Sequence, residues 1–456
     1  VEQNWDSVLY FGNLALNENV DYNYLRLRMG DASLENGKYV MAMNHFNKAI
    51  GFSEHNDYAK SQKYLALQMM GKPDRANKMY KSFSPQLKNK VRKLPTIEFV
   101  NLDVGNLFSP NINNNDSIHI MGDDSIFGTQ YLMGNQQFIQ LGIKAVFAKN
   151  FSLYLGVNSI KINTRKDFQY ANYAGTITVK TDYGYDRYID TIPEYLNYSH
   201  KGQIIQNEIY LNTKLQLEND FAISAFANLI LVNTEISSFN YSALTITDTS
   251  FLVEKTGDFE LFEYQQSNYE FFAYDTTIVN FVAGINFEKD IDIASFDAFF
   301  TYSDFKGHHQ YQFGAAAIYY PLGNLNLYGK TAITYFTQSS GSRNYSDENQ
   351  KLIFQQSIGV KLVKRLWANA SLTYGNLTNS NINGGMVVYN LTDQINHKIE
   401  SGLSIFVSNN LELNISYQFF DKTRYYYNYQ PETELYSKTP VNYITNSIIG
   451  GLKWKF

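Results

Sequence analysis

Along most of this chain apolar and polar residues alternate with a period of two, the pattern of a strand with one apolar face. Leu411, Leu413, Ile415, Tyr417 and Phe419 interleave with Glu412, Asn414, Ser416 and Gln418. Ile205, Ile209, Leu211, Leu215 and Leu217 interleave with Gln206, Glu208, Tyr210, Asn212, Lys214 and Gln216. Leu325, Leu327, Ile333 and Tyr335 alternate with Asn326, Tyr328, Lys330 and Thr334. The pattern predicts fourteen antiparallel strands, at 97–109, 136–147, 151–164, 204–217, 221–234, 276–288, 291–304, 309–320, 325–337, 351–363, 366–376, 395–408, 411–424 and 443–456. Most run to about 12–14 residues, where soluble strands average about five or six.

The connections alternate as well. Short turns fall near Lys149-Asn150, Asn219-Asp220, Lys289-Asp290, Leu322-Gly323-Asn324, Lys364-Arg365 and Asn409-Asn410. Longer loops fall between them, the largest at 165–203 and 235–275. An even number of strands, with short turns at one rim and long loops at the other, predicts an all-β transmembrane barrel of an outer membrane. The segment 235–275 holds eight acidic residues against Lys255 alone, together with Phe239, Tyr241, Phe251, Phe259, Phe262, Tyr264, Tyr269, Phe271, Phe272 and Tyr274. So many aromatics predict an ordered extracellular loop that packs on itself or on a partner, with divalent cations as candidate bridges.

The first 95 residues obey another rule. Apolar spacing over 25–52 is helical, and a shift of 34 residues lays Gly37 on Gly71, Ala42 on Ala76 and Phe46 on Tyr80. With Gly30, Gly37, Tyr39, Ala42, Phe46 and Ala49 in place, the repeat 23–56 resembles a tetratricopeptide (TPR) repeat, with a weaker copy after it carrying Gly71, Ala76 and Tyr80. Its small residues let paired helices approach, and its aromatics fill the gap between them. Arg26 and Glu54 depart from the pattern, where an aromatic and a proline are usual. Leu94-Pro95 marks the boundary, because the residue before proline avoids the helix. The expected organisation is a small all-α TPR-like domain at 1–95 and a barrel at 96–456. Fewer than three repeats rarely stand alone, so the helical module is expected to lean on the domain after it.

Composition narrows the class. Charged residues make up 18% of the chain, below the roughly 25% of soluble domains, and no apolar run is long enough for a membrane helix. The absence of cysteine excludes disulfide scaffolds, thiolate metal sites and thiol catalysis. The opening Val-Glu-Gln-Asn-Trp lacks a signal-peptide pattern, so for an exported protein the numbering is expected to describe the mature chain after its signal peptide is removed. Charge is divided. Residues 1–95 carry 14 basic and 9 acidic residues, and the stretch 60–93 holds ten cations against Asp74 alone. Lys72, Arg75, Lys78 and Lys81 form a candidate patch for an acidic protein partner or for phosphates of the inner leaflet; a solvated helix face is the plain alternative.

In the last strand Ile444, Ile448, Leu452, Trp454 and Phe456 share one face. Leu452, Trp454 and Phe456 resemble the C-terminal signal of outer-membrane barrels, which implies contact with outer-membrane lipid and with the outer-membrane assembly machinery. An even barrel places both ends in the periplasm, so the helices are expected there. Catalytic patterns are missing: no His is followed two positions on by Ser, none follows an Asp by two, and His308-His309 lies in an expected loop without a third ligand. Inward positions mix Lys144, Glu208, Lys214, Lys330, Lys361, Glu412 and Lys453 with Tyr210, Tyr320, Tyr328 and Trp367, which predicts a partly plugged lumen. No enzyme activity, cofactor, metal or nucleic-acid partner is expected. The reading is a non-enzymatic barrel subunit of a multiprotein envelope machine for secretion, export or outer-membrane assembly. It would dock periplasmic partners through the helices, and extracellular ones through the large loops. The alternative is a porin or polymer-export channel with a TPR adaptor, similar to the cellulose and poly-N-acetylglucosamine exporters.

Overall fold

The computed structural model describes residues 4–91, 95–110, 127–148, 150–173, 177–181, 184–188, 193–248, 262–291, 293–305, 307–339, 349–430 and 435–456. Among these residues six helices come first: α1 (Trp5–Asn17), α2 (Asn23–Glu35), α3 (Tyr39–Phe52), α4 (Asp57–Met69), α5 (Pro73–Tyr80) and α6 (Pro85–Lys90). Their starts recur every 34 residues, from Trp5 to Tyr39 to Pro73 and from Asn23 to Asp57. Gly37 and Gly71 come after α2 and α4 with φ of 69° and 64°, a left-handed turn that glycine enters without strain. Gly30 lets α2 lie directly on α3, since a Cβ there would come within 2.5 Å of the Phe46 ring. Ala42, Phe46, Ala49 and Ala59 complete that core.

Eighteen strands come next among the described residues. They are β1 (Ile97–Phe108), β2 (Phe127–Ala148), β3 (Phe151–Tyr173), β4 (Ile177–Thr181), β5 (Gly184–Tyr188) and β6 (Pro193–Gln216). Then come β7 (Phe221–Asp248), β8 (Phe262–Ile291), β9 (Ala294–Phe305), β10 (His308–Tyr319), β11 (Leu327–Gln338) and β12 (Gln350–Val363). The last are β13 (Leu366–Tyr374), β14 (Ser380–Ile382), β15 (Val387–Tyr389), β16 (Gln394–Phe406), β17 (Leu411–Gln430) and β18 (Leu435–Lys455). All except the small hairpins β4–β5 and β14–β15 form one closed antiparallel barrel of fourteen strands. The seam joins β1 to β18, from Phe99 opposite Lys455 to Phe108 opposite Asn446. Above Phe108 the short β1 has ended, and β2 pairs instead with β17 at Tyr426–Tyr429. Alternation sorts the side chains: Val104, Ile139, Val157, Ile209 and Ile285 are exposed on the outside, whereas Gln206, Glu208, Tyr210 and Asn228 are buried inside.

Three expectations change. Where they are described, the segments 165–203 and 235–275 are largely paired strand. β7 and β8 stay paired from Phe221 opposite Lys289 to Asp248 opposite Phe262, and β3 stays paired with β6 from Phe151 opposite Leu215 to Tyr173 opposite Pro193. Alternation fades there because both faces are covered, and Asp167, Phe168 and Gln169 are buried in succession. On one face Phe168, Tyr198, Phe239 and Phe271 pack ring to ring; on the other Asp167 accepts hydrogen bonds from Gln130 and Ser199. Tyr241, Phe251, Phe259, Phe262 and Tyr264 lie outside what is described of that segment's side chains. His308 and His309 open β10 beyond a tight turn at Gly307, φ 74°. Finally, Lys289-Asp290 is not a turn but the end of β8.

His45 of α3 is 8% exposed, and its Nδ1 lies 3.2 Å from the Arg26 guanidinium. Burial, then the Arg26 charge, pushes its pKa down to about 4. The folded module therefore prefers neutral His45. The resulting stability is fully present above the unfolded pKa near 6.5 and is lost as pH falls toward 4, about 3 kcal/mol in all. Thermal unfolding of the helices, monitored by circular dichroism at pH 7 and pH 4.5, is expected to show this loss, and His45→Gln to remove most of it.

Candidate functional site

A fourteen-stranded ring encloses more space than its own inward side chains fill. Two segments of the chain occupy that space, one at each level. The first is the helical module, which seats on three neighbouring turns of the short-turn rim. Lys72 Nζ lies 2.7 Å from Asp290 Oδ2. Arg75 pairs with both Asp290 and Asp220, and Lys78 donates to the Leu217 carbonyl. Lys144 of β2 reaches up to Asp74 at 3.1 Å and to Glu98 at 2.9 Å. Backbone contacts add to these: the Val40 N–H donates to the Gly323 carbonyl at 3.0 Å, and Asn324 Nδ2 donates to the Gly37 carbonyl at 2.8 Å.

Apolar packing continues through the same interface. Tyr64, Leu67, Met70, Ala76, Phe83 and Leu87 share one core with Tyr320 of the barrel, and Ile318, Leu325 and Tyr328 pack against it. The module leans on the barrel as its short repeat length requires. Crowding of like charge there is visible in Lys63, whose pKa burial and the nearby Arg75 and Lys78 push down to about 8. Burial also lowers the pKa values of Lys72 and Arg75, and Asp290 acts against that fall.

The second closure is the connection 375–393 between β13 and β16. It folds inward as the hairpin β14–β15, whose tip Asn383-Gly384-Gly385 has φ of 52°, 64° and 75°. Tyr210 OH donates to the Gly384 carbonyl at 2.9 Å, and Asn228 Nδ2 to the Gly385 carbonyl at 3.1 Å. The Gln312 amide clamps Asn381, donating to its carbonyl at 2.8 Å and accepting its N–H at 2.9 Å. Asn390 donates to Gln206 at 3.1 Å. Leu377, Ile382 and Tyr389 pack with Leu107, Ile353 and Phe420, while Met386, Val388 and Leu391 pack against Phe226, Ile230 and Val282. At Gly385 a Cβ would come 2.9 Å from the Phe226 ring, so the tip admits no larger residue. The flanked Asn-Gly-Gly is a strong hairpin signal that the alternation pattern does not register.

Several of the lumen's mixed charges are partnered. Glu208, 3% exposed, accepts from Asn158, Gln206 and Asn228 at 3.2, 2.6 and 3.0 Å. Lys214 pairs with Glu288 at 2.6 Å, and Glu412 with Lys455 at 2.9 Å. Lys361 and Lys453 sit over the rings of Trp367 and Phe99. Two of the cavities flank these fillings. One of about 490 Å³ lies beneath the module among Lys72, Asp74, Arg75, Lys144, Tyr154 and Tyr320. The other, about 420 Å³, lies between the plug and the wall of β2, β3 and β6–β8. Among the described residues no cluster of three metal-ligating side chains occurs.

The residues singled out in the sequence fall into three places. Gly30, Ala42, Phe46 and Ala49 meet between α2 and α3; Tyr39, Ala76 and Tyr80 join the core shared with the barrel. Three of the four patch residues are turned into the barrel. Lys72 and Arg75 find their acidic partners in Asp290 and Asp220 of the same chain, Lys78 finds a carbonyl, and Lys81 alone stays exposed. This corrects the expectation that the patch is open to a partner or a leaflet. Leu452 and Trp454 face outward on the seam, opposite Leu102 and Val100, with 42% and 44% exposure, and Phe456 is 51% exposed.

No protein-family model matches this chain, and no curated protein matches it. Among solved structures, the P. putida toluene transporter TodX aligns at 8% identity with a TM-score of 0.43, covering 79% of this chain and 91% of its own. The Ralstonia pickettii toluene transporter TbuX aligns at 8% identity and 0.44, covering 80% and 90%. The KdgM porin aligns at 10% identity and 0.26, covering 56% and 95%. Likenesses of this degree assign neither ligand nor pathway.

Two outcomes test the closures. Asp290→Lys leaves Lys72 and Arg75 facing a like charge and costs docking about 3–5 kcal/mol. Trypsin cleavage between module and barrel is expected to accelerate, and Lys72→Glu with Arg75→Glu in that background to slow it again. Replacing 377–391 by a short Gly-Ser turn is expected to raise conductance in planar lipid bilayers; unchanged conductance means that the plug is not the barrier.

Proposed function

We propose that this protein is a non-enzymatic outer-membrane barrel that anchors a periplasmic helical module as a subunit of a multiprotein envelope machine. The membrane assignment rests on the outward belt. Leu141, Leu155, Leu211, Ile333, Ile358 and Ile415 are each between 39% and 54% exposed, far more contiguous apolar surface than water tolerates on a monomer. Strands β1, β9, β10 and β11 are 12 residues long, close to the roughly 9–11 that a tilted strand needs to cross the bilayer. The short turns of such even barrels face the periplasm as a rule, which supports a periplasmic side for the module.

The observation that carries the machine reading is the seat of the module on the rim. Ion pairs, backbone hydrogen bonds and a shared apolar core fix it, so a protein held by the module is held to the membrane. Its outer helices keep apolar residues for such a contact: Tyr10, Phe11 and Tyr24 are 62%, 65% and 62% exposed. The TPR-like spacing supports this use, because paired helices of that kind bind proteins. The second reading is a channel with a helical adaptor, and the two cavities along the lumen support it.

Affinity purification of the tagged chain, with Tyr10, Phe11 and Tyr24 changed together to Ser, separates the two. The machine reading expects a co-purifying periplasmic protein that the triple change releases. An unchanged set, together with solute flux through the reconstituted wild-type barrel, favours the channel.

A further inference from the structure

The cavity beyond the plug differs from the rest of the lumen. Around Leu377 apolar side chains close on one another. Here Met133, Ile204, Val232, Ile236, Ile278 and Leu391 line about 420 Å³ of open space, within the range of small-molecule sites. Ile236 and Ile278 remain 40% and 38% exposed, so the chamber presents apolar surface to water. Apolar surface left in contact with water costs free energy that a bound apolar body would recover.

One lining charge gives the chamber a polarity. Lys166 donates to the Ser237 carbonyl and lies 5.0 Å from the centre of the Phe168 ring. Among the described residues no carboxylate pairs with it. The acid that shares the lining, Glu235, is taken by His200. An ammonium with free donors beside an apolar chamber fits a ligand that is apolar along its body and anionic at one end.

We propose that this chamber binds a small amphiphile with an anionic head, the head on Lys166 and the body against Ile204, Val232 and Ile278. Leu391 belongs to the plug, so the ligand touches the plug as well as the wall. This goes beyond the anchoring role and does not depend on it.

The test uses the full chain in nanodiscs of zwitterionic lipid, with decanoate as probe and equilibrium dialysis against protein-free discs as readout. Decanol and decyltrimethylammonium serve as neutral and cationic comparators. Saturable decanoate binding is expected above that of empty discs. Lys166→Met is expected to weaken decanoate by about ten- to a hundredfold, the loss of a charge-assisted contact, with decanol little changed. Ile278→Trp fills the chamber and is expected to abolish binding of both. Heat-modifiable migration confirms assembly of each variant; if Ile278→Trp fails to assemble, Leu391→Trp replaces it. Uptake equal to that of empty discs, or decanoate binding that Ile278→Trp leaves intact, overturns the site. Decyltrimethylammonium binding as tight as decanoate, or no effect of Lys166→Met, overturns the anionic head. The purification experiment on Tyr10, Phe11 and Tyr24 reads neither result.

Discussion

Closing a sheet of this width creates a space that its own walls cannot fill, and the remaining architecture answers that constraint. Backbone pairing from β1 around to β18 leaves no open edge, and the outward residues settle into one apolar belt. The inner wall is polar and too far from itself to pack. The chain therefore supplies filling from two places. The β14–β15 hairpin enters from the connection after β13, and the helical module sits on three neighbouring turns of the rim. Without them, buried groups such as Glu208 and Asn228 would face an open lumen instead of a hydrogen-bonded interior.

The two fillings are held by different physics. The plug is fixed by main-chain carbonyls that accept from fixed amides and a tyrosine, around a tip where Gly385 has no room for a side chain. That geometry is specific and insensitive to salt. The module is fixed by Lys72 and Arg75 on one carboxylate, by Lys78 on a carbonyl, and by a shared apolar core. Lys72, Arg75 and Asp290 are 15%, 13% and 8% exposed, so screening reaches them weakly. Arg75 also pairs with Asp220, which is 46% exposed, and that outer contact is the one open to solvent and ions.

Strand number was legible in the sequence, because each outward face needs apolar residues at every second position. The far extensions were not. Around Asp167, Phe168 and Gln169 both faces are covered and the alternation vanishes, so paired strands read as loops. The presence of helices before the barrel was legible in the helical spacing of apolar residues over 25–52. The docking of the module was hidden for a different reason. The positions of Lys72 and Arg75 can be read from spacing, but Asp290 lies 215 residues beyond Arg75, and only the closed fold brings it near. The plug was foreseen as a type and missed as a place, because its strands are three residues each and too short for a periodicity to register.

Strand β8 is 30 residues long and unbroken, a contour of about 100 Å. Asp290 stands at one end, beneath the helices. Phe271 stands further along the same strand, in the aromatic cluster of the extension. Tension applied along this strand loads its hydrogen bonds to β7 in parallel, not one after another. A hairpin stressed in that direction yields by shear, and many bonds must fail together. The same hairpin peeled from its tip would open bond by bond. β8 is thus a stiff tie between the helical seat and the far extension, strong along its axis and weak only against peeling.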